Sequence, residues 1–284
     1  MAFALVAAAL YGSADFLGGM ASRRARAASV LVISAPAGVL AMLAAAILAG
    51  GPFVTAGLGW ALAAGAVGGA GLIAFYAGLA AGPMSVVAPV SALVSTVLPV
   101  GVALAEGERA SAAVYAGAGL CLAAIVLVSM ERRAPGAGPG RAHHRVPARG
   151  LGYGAMAGVA FGIFFLFIRN AGTAGVLWPV CMARVAGTVT ILAAVAWLGT
   201  RPAGLGVGRW VLLAAVAAGV LDAGANVCYL LAVRAGLFGM AVVITSLYPG
   251  ITVLLARVVL GERMRAVQRV GLVLAAAGVA LVTF

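Results

Sequence analysis

The sequence predicts an all-α integral membrane fold in which ten transmembrane helices form two inverted five-helix repeats. Three observations predict it. Of 284 residues, 65% are hydrophobic and only 8% charged, against about 45–50% and about 25% in an ordinary soluble domain. A soluble fold of this size cannot hide so much apolar surface, so the bilayer must be the solvent for much of it. No residue from Ala27 to Ala105 carries a charge, a run of 79 positions, and at about 20 residues per crossing it holds three or four spans by itself. The two halves also resemble each other at an offset of 150–154 residues, and each holds five apolar segments. An odd number of crossings makes the second half enter from the opposite side.

The breaks between segments come from charges, Gly-Pro pairs and Gly clusters. The first helix covers about 2–20 and ends at Ser22-Arg23-Arg24-Ala25-Arg26. No basic residue precedes Arg23 and Asp15 interrupts the apolar run, so this segment is expected to be a retained helix, not a cleaved signal peptide. The second covers about 28–49 and stops at Gly50-Gly51-Pro52. The third starts near Gly57 and stops at Gly82-Pro83. The fourth, about 84–105, ends at Glu106-Gly107-Glu108-Arg109, and the fifth covers about 111–130. Residues 131–149 are rich in Arg, Pro and Gly and form the one linker, separating a first repeat at 1–130 from a second at 151–284. Such a composition cannot build a core, and the linker is expected to be exposed. The second half is expected to cross at about 151–170, 174–199, 209–234, 237–258 and 266–284.

A shift of 154 lays Gly82 on Gly236, Gly107-Glu108-Arg109 on Gly261-Glu262-Arg263, and Gly117 on Gly271. Nearer the start a shift of 150 lays Tyr11-Gly12 on Phe161-Gly162 and Trp60 on Trp210. A small insertion in the second half, between the third and fourth spans of the repeat, would account for the change.

These residues carry a resemblance. Tyr11-Gly12, the twin Gly-Glu-Arg turns, Pro249 twelve residues before Gly261, and the run through Gln268, Gly271 and Gly278 resemble the EamA family of the drug/metabolite transporter superfamily over essentially the whole chain. Arg184 matches an arginine often seen early in the second helix of a repeat. The first half departs from the pattern at Ser95, aligned with Pro249, and near Ser34, aligned with Arg184. The resemblance implies a ten-helix carrier of small metabolites and names no substrate.

The net charge of +12 comes from 18 arginines without a lysine. They are scattered over short loops, a membrane-topology pattern, where nucleic-acid binding would gather them on one solvated face. Cys121, Cys181 and Cys228 all sit in apolar runs and are expected to pack as small hydrophobes. His143 and His144 adjoin in the linker with no acidic or cysteine partner nearby, so no metal site is expected. There is no nucleophile elbow, zinc-protease helix or phosphate-binding loop, so neither a catalytic site nor a cofactor is expected, and ATP-driven transport by this chain alone is not either.

Two of six acidic residues, Asp15 and Asp222, lie deep inside spans. An ionised carboxylate at the helix centre costs about 2.5–3.5 kcal/mol even on translocon scales, so each must face a wet cavity, find a partner or be protonated. The functional reading is a substrate or proton site. The structural reading is a carboxylate paired with an intramembrane arginine, with Arg184 the candidate for Asp222. Asp222, Asn226 and Tyr229 fall at i, i+4 and i+7, and Tyr11 and Asp15 at i and i+4, so each set shares one helix face. Substrate contact or coupling is therefore assigned to Tyr11, Asp15, Arg184, Asp222, Asn226 and Tyr229, with interhelical packing as the alternative for the tyrosines and the asparagine. Asp15 is also placed as a gate residue or a partner for the Arg23–Arg26 loop. Glu108 and Glu262 are expected to cap the helix that follows each of them. Gly150, Gly154, Gly158 and Gly162 form a small-residue stripe suited to close helix packing.

The expected function is a secondary carrier, an exporter of small organic metabolites with a proton as the coupling ion, in a bacterial inner or plasma membrane; a homodimer is left open. The rival is a non-transporting scaffold or a subunit of a heteromeric membrane complex. An intramembrane enzyme would need a nucleophile–base pair that is not found. The odd-numbered loops hold 14 arginines and the even-numbered loops three, so the positive-inside rule puts the odd loops in the cytoplasm and the termini outside. The resemblance implies cytoplasmic termini; the size of the charge bias favours the first assignment.

Overall fold

Apolar runs of this length bury their backbone polar groups most economically as helices, since lipid offers them no hydrogen bonds. The computed structural model describes residues 1–50, 53, 55–81, 84–108, 111–129, 148–197, 199, 207–236, 238–260 and 266–283. Eleven α-helices are found among them: α1 (Ala2–Ser22), α2 (Ala27–Leu48), α3 (Leu58–Ala81), α4 (Met84–Ala105), α5 (Ala112–Ser129), α6 (Ala148–Ala171), α7 (Leu177–Trp197), α8 (Arg209–Ala235), α9 (Phe238–Thr245), α10 (Tyr248–Leu260) and α11 (Ala266–Thr283). Among the described residues seven stretches are long and apolar enough to cross a membrane, one of them running from α9 through α10, and three shorter apolar helices complete ten crossings. Most of the linker, residues 131–147, lies outside the described residues, as do His143, His144, Arg109 and the Gly261-Glu262-Arg263 turn.

The ninth crossing departs from the single helix expected. It breaks between Thr245 and Tyr248. Pro249 has no N–H to give the Thr245 carbonyl one turn back, so the ladder lapses there, and the proline sits in the first turn of α10, where no N–H is needed. The hydroxyls of Thr245 and Ser246 at the break are buried without a hydrogen-bond partner among the described residues.

The packing is symmetric between halves. Helix α3 lies on α6 and α7, while α8 lies on α1 and α2; α4 lies on α6, while α9 and α10 lie on α1; α5 pairs with α11, and α2 with α7. Exchanging the repeats maps this set of neighbours onto itself, as a pseudo-two-fold axis in the membrane plane requires. The crossings agree at atomic level. Gly65 of α3 sits against the Ala183 carbonyl of α7, and Gly219 of α8 sits against the Ser34 carbonyl of α2. A Cβ on Gly187 would lie 3.1 Å from the Gly65 oxygen, and one on Gly38 would lie 2.9 Å from the Gly219 oxygen. Gly65 therefore corresponds to Gly219, Ser34 to Ala183 and Gly38 to Gly187. The offset is 149 in the second span (183 − 34) and 154 in the third (219 − 65), so the insertion falls between these two spans of the repeat; Trp60 is not the counterpart of Trp210, and Ser34 answers to Ala183 and not to Arg184.

The α6 stripe works as small-residue stripes do. Gly154, Gly158 and Gly162 receive Val87, Ser91, Val94 and Leu98 of α4, with a Cβ on Gly158 falling 2.7 Å from the Ser91 oxygen. Such approach gains dispersion contacts where lipid provides no hydrophobic drive. Cys121 and Cys181 are buried and Cys228 partly so, all free.

Both termini and the even-numbered loops share one membrane side, here the terminal side; the linker marks the other. The terminal side is sealed. Phe165, Ile168, Val180, Cys181, Leu230, Phe238 and Val242 pack into one core there with small residues of α1, α2 and α3. Arg169 at the end of α6 pairs with Glu106 at 2.6 Å and stacks 4.3 Å above the Phe238 ring. Glu108 accepts the Gly239 N–H at 3.2 Å on both carboxylate oxygens, so it caps α9 of the other repeat and not the following helix. Every residue of α9 is buried, whereas among the described residues of α10 none is. The same crossing is thus enclosed on the terminal side and outward-facing on the linker side.

Candidate functional site

Three charges lie more than one turn from a helix end among the described residues: Asp15 in α1, Arg184 in α7 and Asp222 in α8. They converge at the interface between repeats. Arg184 and Asp222 form an ion pair, their side chains 18% and 38% exposed. Asp222 is therefore partnered, as the structural reading of its sequence position required. Asn226, one turn along α8, donates its amide to the Asp222 carbonyl at 2.8 Å, which orients its oxygen to accept the Tyr11 hydroxyl of α1 at 2.8 Å. This bond joins the repeats across the pseudo-two-fold axis.

Gly12 explains why Tyr11 can reach the centre. A side chain there would strike the Tyr248 carbonyl and Ile251, 2.6 Å from an added Cβ. Its absence lets α10 close on α1, where Thr252 donates to the Gly12 carbonyl at 3.0 Å. The closure sets the Tyr11 and Tyr248 rings 6.1 Å apart, tilted by 58°. Tyr248 was not singled out in the sequence; its signal was its place beside Pro249, at the head of a half-helix in mid-membrane.

Asp15 stands one turn from Tyr11. On this face α1 runs along α8, with the Tyr11 hydroxyl on Asn226 and a Cβ on Gly18 falling 3.9 Å from Ala218, so Asp15, between them, lies level with Asp222. Its side chain is exposed there. Among the described residues no hydrogen bond or ion pair holds it. These neighbours place it in the interior, away from the Arg23–Arg26 loop.

Tyr229 is not brought to this cluster. It is wholly buried, donates to the Phe165 carbonyl at 3.3 Å and packs on the Phe165 ring at 4.7 Å. Tyr229 keeps nearly the same azimuth as Asp222 but stands two turns, about 10 Å, further along α8, where it meets α6 in the core of the terminal side. Five of the six residues singled out, Tyr11, Asp15, Arg184, Asp222 and Asn226, meet; Tyr248 joins them and Tyr229 is in the packing beneath.

The arrangement presents a polar, partly accessible centre in mid-membrane, sealed on the terminal side.

Residues 148–284 match the family described as the EamA-like transporter family. Among solved structures, one titled "Crystal structure of protein" matches with a TM-score of 0.79 at 20% identity, covering 99% of this chain and 95% of that one; a likeness at that identity is one of fold. No curated protein matches.

Proposed function

We propose that this multi-pass membrane protein, whose residues 148–284 match the EamA-like transporter family, is a secondary carrier exporting small organic metabolites by alternating access. The observation that carries the reading is the meeting of Asp15, from one repeat, with Arg184 and Asp222, from the other, at mid-membrane beside a broken helix. Inverted-repeat carriers place substrate and coupling-ion sites at such repeat interfaces. The sealed terminal side supports a state open towards the linker side. The Arg169–Glu106 pair and the Glu108 cap would have to part for the opposite state. Asp15 is the proposed proton carrier, and the cytoplasmic membrane of a bacterium the proposed location.

A scaffold or heteromeric subunit has one observation in its favour, the pairing of Asp222 with Arg184, which a structural role would explain. Asp15 weighs against it, since no hydrogen bond or ion pair holds it among the described residues. An accessible intramembrane carboxylate without a partner is costly, and a scaffold has no use for one.

The test is uptake into proteoliposomes holding the purified chain, from a panel of labelled amino acids, nucleosides and amines, across pH. Asp15→Asn is expected to keep normal insertion and lose both net transport and its pH dependence; Asp222→Asn is expected to lose transport. Retention of wild-type rates and pH profile by both would remove these carboxylates from the cycle.

Orientation is checked separately. A reporter active only in the cytoplasm, fused after Phe284, is expected to be silent and one active only outside to be bright, given the arginine bias. The reverse pattern overturns the assignment.

A further inference from the structure

We propose that the break in the ninth crossing binds one alkali cation, sodium, on the backbone and hydroxyl oxygens of Val243, Thr245 and Ser246. The inference goes beyond the carrier reading and does not involve Asp15.

The break leaves acceptors in excess. In a regular helix each carbonyl accepts the N–H four residues on. Here the Leu247 N–H turns to the Ile244 carbonyl at 3.1 Å and the Gly250 N–H to the Leu247 carbonyl at 2.9 Å. Val243 and Ser246 lose the donors a regular helix would bring them, and Pro249 has none to give Thr245. Two hydroxyls stand at the same place, Thr245 0% and Ser246 1% exposed, without a hydrogen-bond partner among the described residues. Helical hydroxyls elsewhere in the chain fold back on the carbonyl one turn earlier: Thr96 on Ala92, Thr190 on Ala186 and Thr252 on Tyr248. In the first repeat Ser95 takes the place of Pro249, α4 continues unbroken from Met84 to Ala105, and the Ser95 hydroxyl is spent on Ala92. The second repeat therefore carries a feature that the first does not.

Oxygen donors suit hard cations. Residues 243–247 hold no carboxylate, and divalent cations take carboxylates, so the ion carries a single charge. The same residues hold no titratable group, so it is not a proton. An anion would need donors, but Pro249 has no N–H and that of Gly250 is engaged. The negative end of the α9 dipole falls at the break, and half-helix C-termini in mid-membrane coordinate sodium in other inverted-repeat carriers. A void of about 10 Å³ adjoins the break where Leu247, Pro249 and Gly250 face Ala124, Ile125 and Ala275. That leaves room for one water-sized particle and for no organic solute, which favours sodium over the larger potassium. Leu247 through Gly250 are partly exposed, so the ion can enter along the head of α10.

The probes are sodium, potassium and N-methylglucamine chlorides at equal ionic strength, added to the purified full chain in detergent with the melting midpoint as readout. Sodium is expected to raise the midpoint saturably, as a ligand of the folded state does, potassium to need roughly tenfold more, and N-methylglucamine to do nothing. Thr245→Val and Ser246→Ala should each abolish the sodium increment. Neither should lower the midpoint without sodium, because each removes a hydroxyl that has no partner. Thr190→Val, whose hydroxyl is bound in α7, should keep the increment. Should Thr245→Val fail to fold, Ser246→Ala decides. Equal midpoints in the three salts, a preference for potassium, or an increment that survives both variants overturns the site. So does a loss of stability by both variants in every salt, the sign of an ordered water alone. The proteoliposome panel keeps the two readings apart: a sodium increment with no transport of any solute leaves the site and removes the carrier, and transport without a sodium increment does the reverse.

Discussion

Gly219→Ala and Gly65→Ala are expected to be severely destabilising although each adds one methyl group. At both positions the new Cβ would run into a backbone carbonyl oxygen of the crossing helix, Ser34 on α2 or Ala183 on α7. A flexible side chain could step aside; a carbonyl held in a helical ladder cannot, so α8 must part from α2, or α3 from α7. Overpacking costs about 1–3 kcal/mol and occasionally more. These sites belong at the upper end, because separation also undoes the reciprocal approaches at Gly38 and Gly187. The control is Gly19→Ala in α1 or Gly59→Ala in α3, where nothing lies within 4 Å of the added Cβ. There helix propensity should win by up to about 1 kcal/mol. Melting midpoints in detergent decide. The pseudo-two-fold axis requires the Gly65 and Gly219 variants to fall together; if they melt like the controls, the close crossings are wrong.

The spans were legible because charge and Gly-Pro pairs interrupt apolar runs sharply, and lipid tolerates neither. The faces of the helices were less legible, for a physical reason. In water a helix shows its buried side by its apolar stripe, but in a bilayer the lipid face is as apolar as the core. Tyr229 therefore looked like a site residue beside Asp222 and Asn226, while its hydroxyl in fact serves Phe165. Residues that hydrogen-bonding chemistry forces inward were placed correctly, as with Tyr11 and Asn226. Glu108 was recognisable as a capping residue but not the helix it caps. Its partner Gly239 is 131 residues away and is brought near only by the interleaving of the repeats. The break in the ninth crossing could have been read from Pro249, because a proline within a helix leaves the carbonyl one turn earlier without its donor. The continuous hydropathy of 237–258 concealed it.

The Arg184–Asp222 pair separates what holds the centre together from what the centre does. Asp222→Leu alone strands the Arg184 guanidinium in the membrane interior, and Arg184→Leu alone strands the carboxylate. Breaking a buried pair costs about 3–5 kcal/mol. Here the Asp222 side chain is 38% exposed, so solvent screens part of the loss, and about 1–3 kcal/mol is expected for each single change. The double variant, Arg184→Leu with Asp222→Leu, leaves no stranded charge and fills the space with apolar atoms, a replacement that is often neutral or stabilising. Its melting midpoint should recover most of what either single variant loses, a coupling the double-mutant cycle measures directly. Transport should not recover with it. Removing the pair takes away the only described intramembrane cation beside Asp15 and both charges that the second repeat sets against the Asp15 of the first. A double variant that is both stable and fully active would reduce the pair to a structural tie and leave Asp15 to carry the chemistry of the site alone. Midpoints that simply add, with no recovery, would mean that the two side chains do not act on each other in the folded protein.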